Sequence, residues 1–175
     1  MGTLDAEAVA IIADVRRAFA GVRRGEITLH EAEVIDHYGT DEERAAARLL
    51  DPDGPWEEVP DGHIAGSMMT LPHLDPESWR YYTPAHMSWS LRHEDDRRNI
   101  VHDFTLYTFG IDPGLVDYKL ARFETLTPDQ ATAVTRFLRY RAAGDSGDPY
   151  AERALAEYWG RLGTPDHGYR PSDRW

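Results

Sequence analysis

The sequence predicts a mainly α-helical protein that folds as a single compact multi-helix domain. Apolar residues recur at spacings of three and four along most of the chain, which is the period of an amphipathic helix. Three segments begin with the Thr-x-x-Glu or Thr-x-x-Gln pattern of a capping box. A length of 175 residues is typical of one domain. We therefore expect a helical domain at 1–163 and a loose C-terminal tail at 164–175.

Three helices are predicted in the first fifty or so residues, at about 5–22, 28–38 and 40–50. The second and third begin with capping boxes, in which a Thr side chain accepts a hydrogen bond from the amide three residues further on. Gly39 is expected to end the second helix in a left-handed conformation. Two prolines and a glycine within 51–55 predict a turn there.

Later helices are predicted from cap signals. Residues 61–70 are predicted to form one helix. Thr83-Pro84 has the pattern of an N-cap followed by proline at the first helical position, which predicts a helix from there to about His93. A third capping box, at 127–130, starts a helix that ends before Gly144. The last helix is predicted at about 151–162.

The stretch 103–123 has two interpretations. Strong β-propensity and alternation at 104–109 favour a strand, which would pair with 117–123 across the turn at 112–114 and form one small β-hairpin. The alternative is a helix that begins near Leu115. The sequence leaves both open.

Composition excludes several classes of protein. The 31 acidic side chains outnumber the 19 basic ones, which gives a formal charge of −12. Neutralising phosphates needs clustered positive charge, so no nucleic-acid partner is expected. No apolar run approaches the roughly 18 residues of a membrane span, so no membrane partner is expected either. The absence of cysteine and of a signal-peptide pattern at the N-terminus leads us to expect a cytoplasmic protein.

Negative charge is concentrated in residues 26–62, which we call the acidic lobe. It holds twelve acids against two arginines, a net −10 of the total −12. Such a lobe attracts a cationic partner and accelerates encounter, so we expect a binding protein that docks on a basic protein, as toxin-neutralising immunity proteins do. The alternative is a solvated face that confers solubility. The candidate contact residues are Glu33, Asp36, Asp41, Glu42, Glu43, Asp51, Asp53, Glu57, Glu58 and Asp61.

Histidine and aromatic residues suggest a second function, a metal-dependent or pocket-based enzyme. His30, Glu33 and His37 share one helical face, and His86 and His93 are also seven residues apart. Seven residues span about 10 Å of helix, too far for both histidines of a pair to bind one ion directly. Pairing across helices is an alternative that the sequence leaves open, and we predict no metal site and no cofactor. The aromatic segment 79–89 has the composition of a ligand pocket, although a core corner where two helices meet is the favoured interpretation for most of its rings. Its pocket candidates are Tyr81, Tyr82, His86 and Trp89.

The segment Tyr81-Tyr82-Thr83-Pro84-Ala85-His86-Met87 resembles a bacterial family of small, mostly helical proteins of unknown function. The likeness extends over about 15–160 and includes the helix start Leu126-Thr127-Pro128-Asp129-Gln130. Thr83 departs from the leucine expected before Pro-Ala in that family. The resemblance implies a compact helical domain, and it transfers no catalytic residue.

Overall fold

The protein is mainly α-helical, as predicted. A computed structural model describes residues 4–67, 69–96, 99–144 and 147–161. Within these ranges the backbone forms nine α-helices and no β-strand. None of these helices is both long and apolar enough to cross a membrane. The predicted tail at 164–175 lies outside the described residues. The helices are α1 (Ala6–Ala18), α2 (Leu29–Asp36), α3 (Asp41–Arg48), α4 (Asp61–Gly66), α5 (Pro76–Arg92), α6 (Val101–Tyr107), α7 (Val116–Phe123), α8 (Pro128–Ala142) and α9 (Pro149–Glu157).

The three predicted capping boxes are confirmed. Thr28, Thr40 and Thr127 each accept a hydrogen bond from the amide three residues on, at the starts of α2, α3 and α8. In each case the Glu or Gln at that position reaches back to the amide of the threonine. These boxes satisfy amides that have no partner within the helix, and they fix where each helix begins.

The β-hairpin predicted at 103–123 is wrong, and both of its strands are helices. Burial here follows a helical spacing and does not alternate, since His102, Thr105, Leu106 and Phe109 are all buried. Lys119 of α7 donates from Nζ to the carbonyls of Tyr107 and Thr108, 3.2 and 3.3 Å away, and so caps the end of α6. Tertiary burial and this cap outweigh the local β-propensity. The alternative interpretation, a helix near Leu115, is confirmed by α7.

The helix start predicted at Thr83-Pro84 is also wrong. The helix is α5, which begins at Pro76 with Asp75 as its N-cap, so Pro84 lies in its interior. Pro84 removes one backbone donor, which an exposed helix tolerates poorly. Thirteen of the seventeen residues of α5 are buried, and this packing holds the helix together across the proline.

Helix α5 is the centre of the core, with α1, α6 and α7 packed around it. Three buried tryptophans each donate their indole N–H to a partner. Trp79 donates to the Thr108 hydroxyl, while Trp56 and Trp159 donate to the backbone carbonyls of Phe19 and Phe109, at 2.8–3.0 Å. Because buried indoles need such partners, the Trp79 bond ties α5 to the end of α6. The other two bonds tie the segments that hold Trp56 and Trp159 to the residues just after α1 and α6.

Candidate functional site

Helices α2 and α3 are consecutive in the chain, pack against each other and are joined by a turn of four residues, 37–40. A groove of about 430 Å³ lies between them. Its lining combines apolar, acidic and histidine side chains together with one glycine: Val34, Ala47, Leu50, Glu33, Glu43, His30, His37 and Gly39. We call this helix pair, with its turn and the residues just after α3, the α2–α3 surface.

The turn between the two helices holds an unusual residue. Tyr38 has a φ of +55° and follows the C-cap of α2, so it, and not Gly39, takes the left-handed position that the sequence assigned to the glycine. The Gly39 amide donates to the Val34 carbonyl and the Tyr38 amide to the Ile35 carbonyl, which is the bonding of a Schellman motif. Gly39 is needed for space, since a Cβ there would lie 2.4 Å from Val34 Cγ1.

Three large apolar side chains on the α2–α3 surface face solvent. Tyr38 is 96% exposed, Leu49 85% and Leu50 60%. Leu49 and Leu50 follow α3 directly, and Leu50 lines the groove. A left-handed, bulky and fully exposed tyrosine is costly and gains nothing from packing in the folded chain. None of these three residues stands out as a candidate in the sequence, because exposure of an apolar residue is set by tertiary packing.

A buried carboxylate supports this surface from beneath. Glu31 is fully buried and accepts hydrogen bonds from Nε and Nη2 of Arg48, at 2.9 and 2.6 Å, and from Arg44 at 3.1 Å. Burial alone raises the pKa of Glu31, but the bonds from Arg48 and from the Thr28 amide outweigh it and lower the pKa. The two arginines of the acidic lobe are thus held by one internal acid and tie α3 to α2.

The remaining acids of the lobe divide into paired and unpaired ones. Asp36 pairs with His73, Asp53 with Arg24 and Asp61 with Arg92. Asp51 is 1% exposed at its side chain, so it offers no contact to a partner. Glu33 and Glu42 are exposed and form no ion pair within the described residues. Asp41 is exposed and lies 3.5 Å from Arg44. The other exposed candidates are Glu43, Glu57 and Glu58.

Asp51 belongs to a cluster with two histidines, which we call the His–Asp–His cluster. Asp51 Oδ1 lies 2.9 Å from His30 Nδ1 and 3.6 Å from His63 Nδ1. Its Oδ2 accepts a hydrogen bond from the His30 amide at 2.9 Å. The two imidazole rings meet edge to face, with centroids 4.5 Å apart. Each of the three residues offers one potential metal-ligand atom, and these atoms all lie within 4.8 Å of one another. No other group of three or more such residues meets this distance in the part of the chain that the structure describes.

The histidine sets considered from the sequence are not assembled as ligands. His37 Nδ1 lies 2.8 Å from the carbonyl oxygen of Glu33, so its ring bonds back to its own helix. His86 is buried in the core, and His93 stacks on Trp89. His30 instead joins partners 21 and 33 residues further along the chain, and no short motif could have revealed such a set.

The four pocket candidates of the aromatic segment are all buried. Tyr81 donates to the Gly54 carbonyl at 2.9 Å, and the Tyr82 hydroxyl accepts from the Leu29 amide at 3.3 Å. Burial lowers the pKa of His86 to about 3, so this imidazole stays neutral. Tyr81 and Tyr82 thus support the 51–55 loop and the start of α2 from inside, and none of the four candidates offers an open surface.

Comparison with known proteins gives one result. A model of the family of unknown function DUF6714 matches residues 7–162. The chain belongs to this family. The match covers α2 to α9 and all of α1 except its first residue, and it includes the span 15–160 that resembles a family of unknown function. No curated protein and no solved structure matches the chain. Family membership brings no activity with it, so function must be argued from the geometry.

Proposed function

We propose that this protein is a small acidic binding domain that docks on a basic protein partner through the α2–α3 surface. The observation that carries the proposal is the exposure of Tyr38, Leu49 and Leu50 among uncompensated acids on one helix pair. Aromatic and aliphatic side chains supply the affinity of protein interfaces, while charges at the rim steer encounter and select the partner.

The charge of the surface favours a basic occupant. Glu31 already holds Arg44 and Arg48, so these cations do not neutralise the exposed acids Glu33 and Glu42. In the groove beside them, Glu43 adds an acidic side chain and Leu50 an apolar one. A lysine- or arginine-rich segment with an apolar side chain to place in the groove fits this combination of charge and shape.

The backbone of Tyr38 supports the same proposal. A tyrosine in the left-handed region costs stability at a position where glycine is the usual residue. Cost without internal gain is typical of residues kept for contact with another molecule. We propose a bacterial cytoplasm as the setting, on the basis of the resemblance and the cysteine-free composition described above.

A matched pair of double variants tests the proposal. Glu33→Lys/Glu42→Lys reverses two acids of the α2–α3 surface, and Glu124→Lys/Asp129→Lys reverses two exposed acids elsewhere. Each pair changes the net charge by the same amount and removes one acid from the first turn of a helix. Wild type and both variants are used as bait in a lysate of the source organism, and captured proteins are quantified by mass spectrometry.

We expect a stoichiometric basic protein to be retained at about 50 mM salt and released at about 500 mM, where charges are screened within a few ångströms. The α2–α3 double variant should lose this protein and the control variant should keep it. Equal retention by both variants, or capture that is indifferent to salt, would refute the proposal.

A further inference from the structure

The His–Asp–His cluster has the chemistry of a metal site that no sequence motif announces. Two imidazoles and one carboxylate are the ligand set of catalytic zinc sites and of the non-haem iron facial triad. The three residues come from the start of α2, from the loop after α3 and from α4, so the fold brings them together. We propose that His30, Asp51 and His63 bind one divalent transition-metal ion of the zinc and iron group.

The distances suit such an ion. Ligands about 2.0–2.2 Å from a metal are separated from one another by about 3–3.5 Å in tetrahedral or octahedral geometry. Asp51 Oδ1 lies 2.9 Å from one imidazole nitrogen and 3.6 Å from the other. The three ligand atoms lie within 4.8 Å of one another, so rotations of the partly exposed imidazoles would place them around one centre.

An unsatisfied nitrogen points to a missing partner. His63 Nδ1 is buried and has no hydrogen-bond partner within the described residues, although it faces Asp51. Buried polar atoms are nearly always satisfied, so an orphan of this kind calls for an explanation. A metal ion bound between His63 and Asp51 Oδ1 would accept the lone pair of His63 Nδ1, which makes no hydrogen bond within the described residues.

The surroundings orient the carboxylate and leave the site accessible. The His30 amide holds Asp51 Oδ2, which leaves Oδ1 as a single ligand atom facing both rings. Arg24 donates to the carbonyls of Asp51 and Pro52 and fixes the loop that carries the carboxylate. Outer-shell bonds of this type set the orientation of ligands in metal sites. The side chains of His30 and His63 are about one quarter exposed, so an ion and further ligands can reach them.

The test uses the untagged full chain after a chelator has removed bound metal. One sample is titrated with cobalt(II) chloride and monitored by visible absorption. A second is titrated with zinc chloride in a calorimeter. We expect one equivalent to bind. His63→Gln should weaken binding by about tenfold or more. His63 is the decisive position because its Nδ1 makes no hydrogen bond, whereas Asp51→Asn also disturbs the start of α2. His37→Gln, on the same helix as His30 but outside the cluster, is the matched control and should bind as wild type does.

Absence of stoichiometric binding to the wild-type chain would overturn the proposal. So would equal affinity in His63→Gln and His37→Gln, whether both are weakened or neither is, because the ion would then be held elsewhere. Far-UV circular dichroism of each variant confirms that a loss of binding is not a loss of fold.

Discussion

Replacement of Tyr38 by glycine should make the protein more stable while removing its most exposed aromatic side chain. Tyr38 holds the left-handed position of the Schellman motif at a φ of +55°. That conformation costs an L-residue about 1–2 kcal/mol, and glycine avoids this cost. The greater freedom of glycine in the unfolded chain takes back about 0.5–1 kcal/mol.

The ring of Tyr38 itself contributes almost nothing to the free energy of unfolding, because a side chain that is 96% exposed buries almost no area on folding. We therefore expect Tyr38→Gly to raise the free energy of unfolding by about 0.5–1 kcal/mol and the midpoint of thermal unfolding by about 1–4 °C. Tyr38→Ala removes the ring but keeps the strained backbone, so its stability should stay close to that of wild type.

Urea unfolding followed by circular dichroism measures all three proteins under identical conditions. If Tyr38→Gly and Tyr38→Ala are both less stable than wild type, the ring makes a stabilising contact and the strain argument is wrong. In the capture assay both variants should bind the basic partner less well than wild type, because each lacks the exposed ring. A more stable variant that binds less well would show that the position is kept for contact with another molecule.

Two further predictions concern buried groups. Glu31→Gln should lower the free energy of unfolding by about 2 kcal/mol. This loss is smaller than that of a fully buried ion pair because Arg44 and Arg48 reach water. Urea unfolding measures it, with the exposed Glu42→Gln as control, and a loss no larger than that of the control would refute the prediction. His86 has a pKa of about 3 in the folded protein against about 6.5 when unfolded, so protons bind the unfolded chain more readily and stability falls as the pH drops below about 6.5. Between pH 7.5 and pH 5, the free energy of unfolding should fall by about 2 kcal/mol because of His86. Urea unfolding over this pH range should show this loss in His37→Gln but not in His86→Gln. An equal dependence of stability on pH in the two variants would contradict the prediction.

Local signals in this sequence predict local structure well. A capping box needs only four consecutive residues, and the three boxes at Thr28, Thr40 and Thr127 all form as predicted. The Thr83-Pro84 pair carries the same kind of signal and misleads, because the burial of α5 continues the helix through the proline. The strand predicted around Thr105 is wrong for the same reason, since packing that only the fold reveals outweighs the local β-propensity.

The functional surface shows the same division. The acids of the lobe are visible in the sequence, but their burial is not. The capping box marks Glu31 as a helix-start residue, yet nothing local shows that Glu31 is fully buried and Glu33, two residues later, exposed. The partners of His30 lie in another loop and another helix, at Asp51 and His63. Contacts between distant segments are set by tertiary structure, and a periodicity argument confined to one helix could find only His37.

The two proposals meet at α2 and can be separated there. His30 belongs to the His–Asp–His cluster and also lines the groove of the α2–α3 surface, so a bound ion would lie beside the docking site. Glu33→Lys/Glu42→Lys should abolish partner capture and leave one equivalent of cobalt bound. His63→Gln should weaken cobalt binding and leave capture intact if the two sites act independently. Loss of capture in the chelator-treated wild type as well as in His63→Gln would instead mean that the ion forms part of the docking surface, because the metal would then be the contact that the two experiments share.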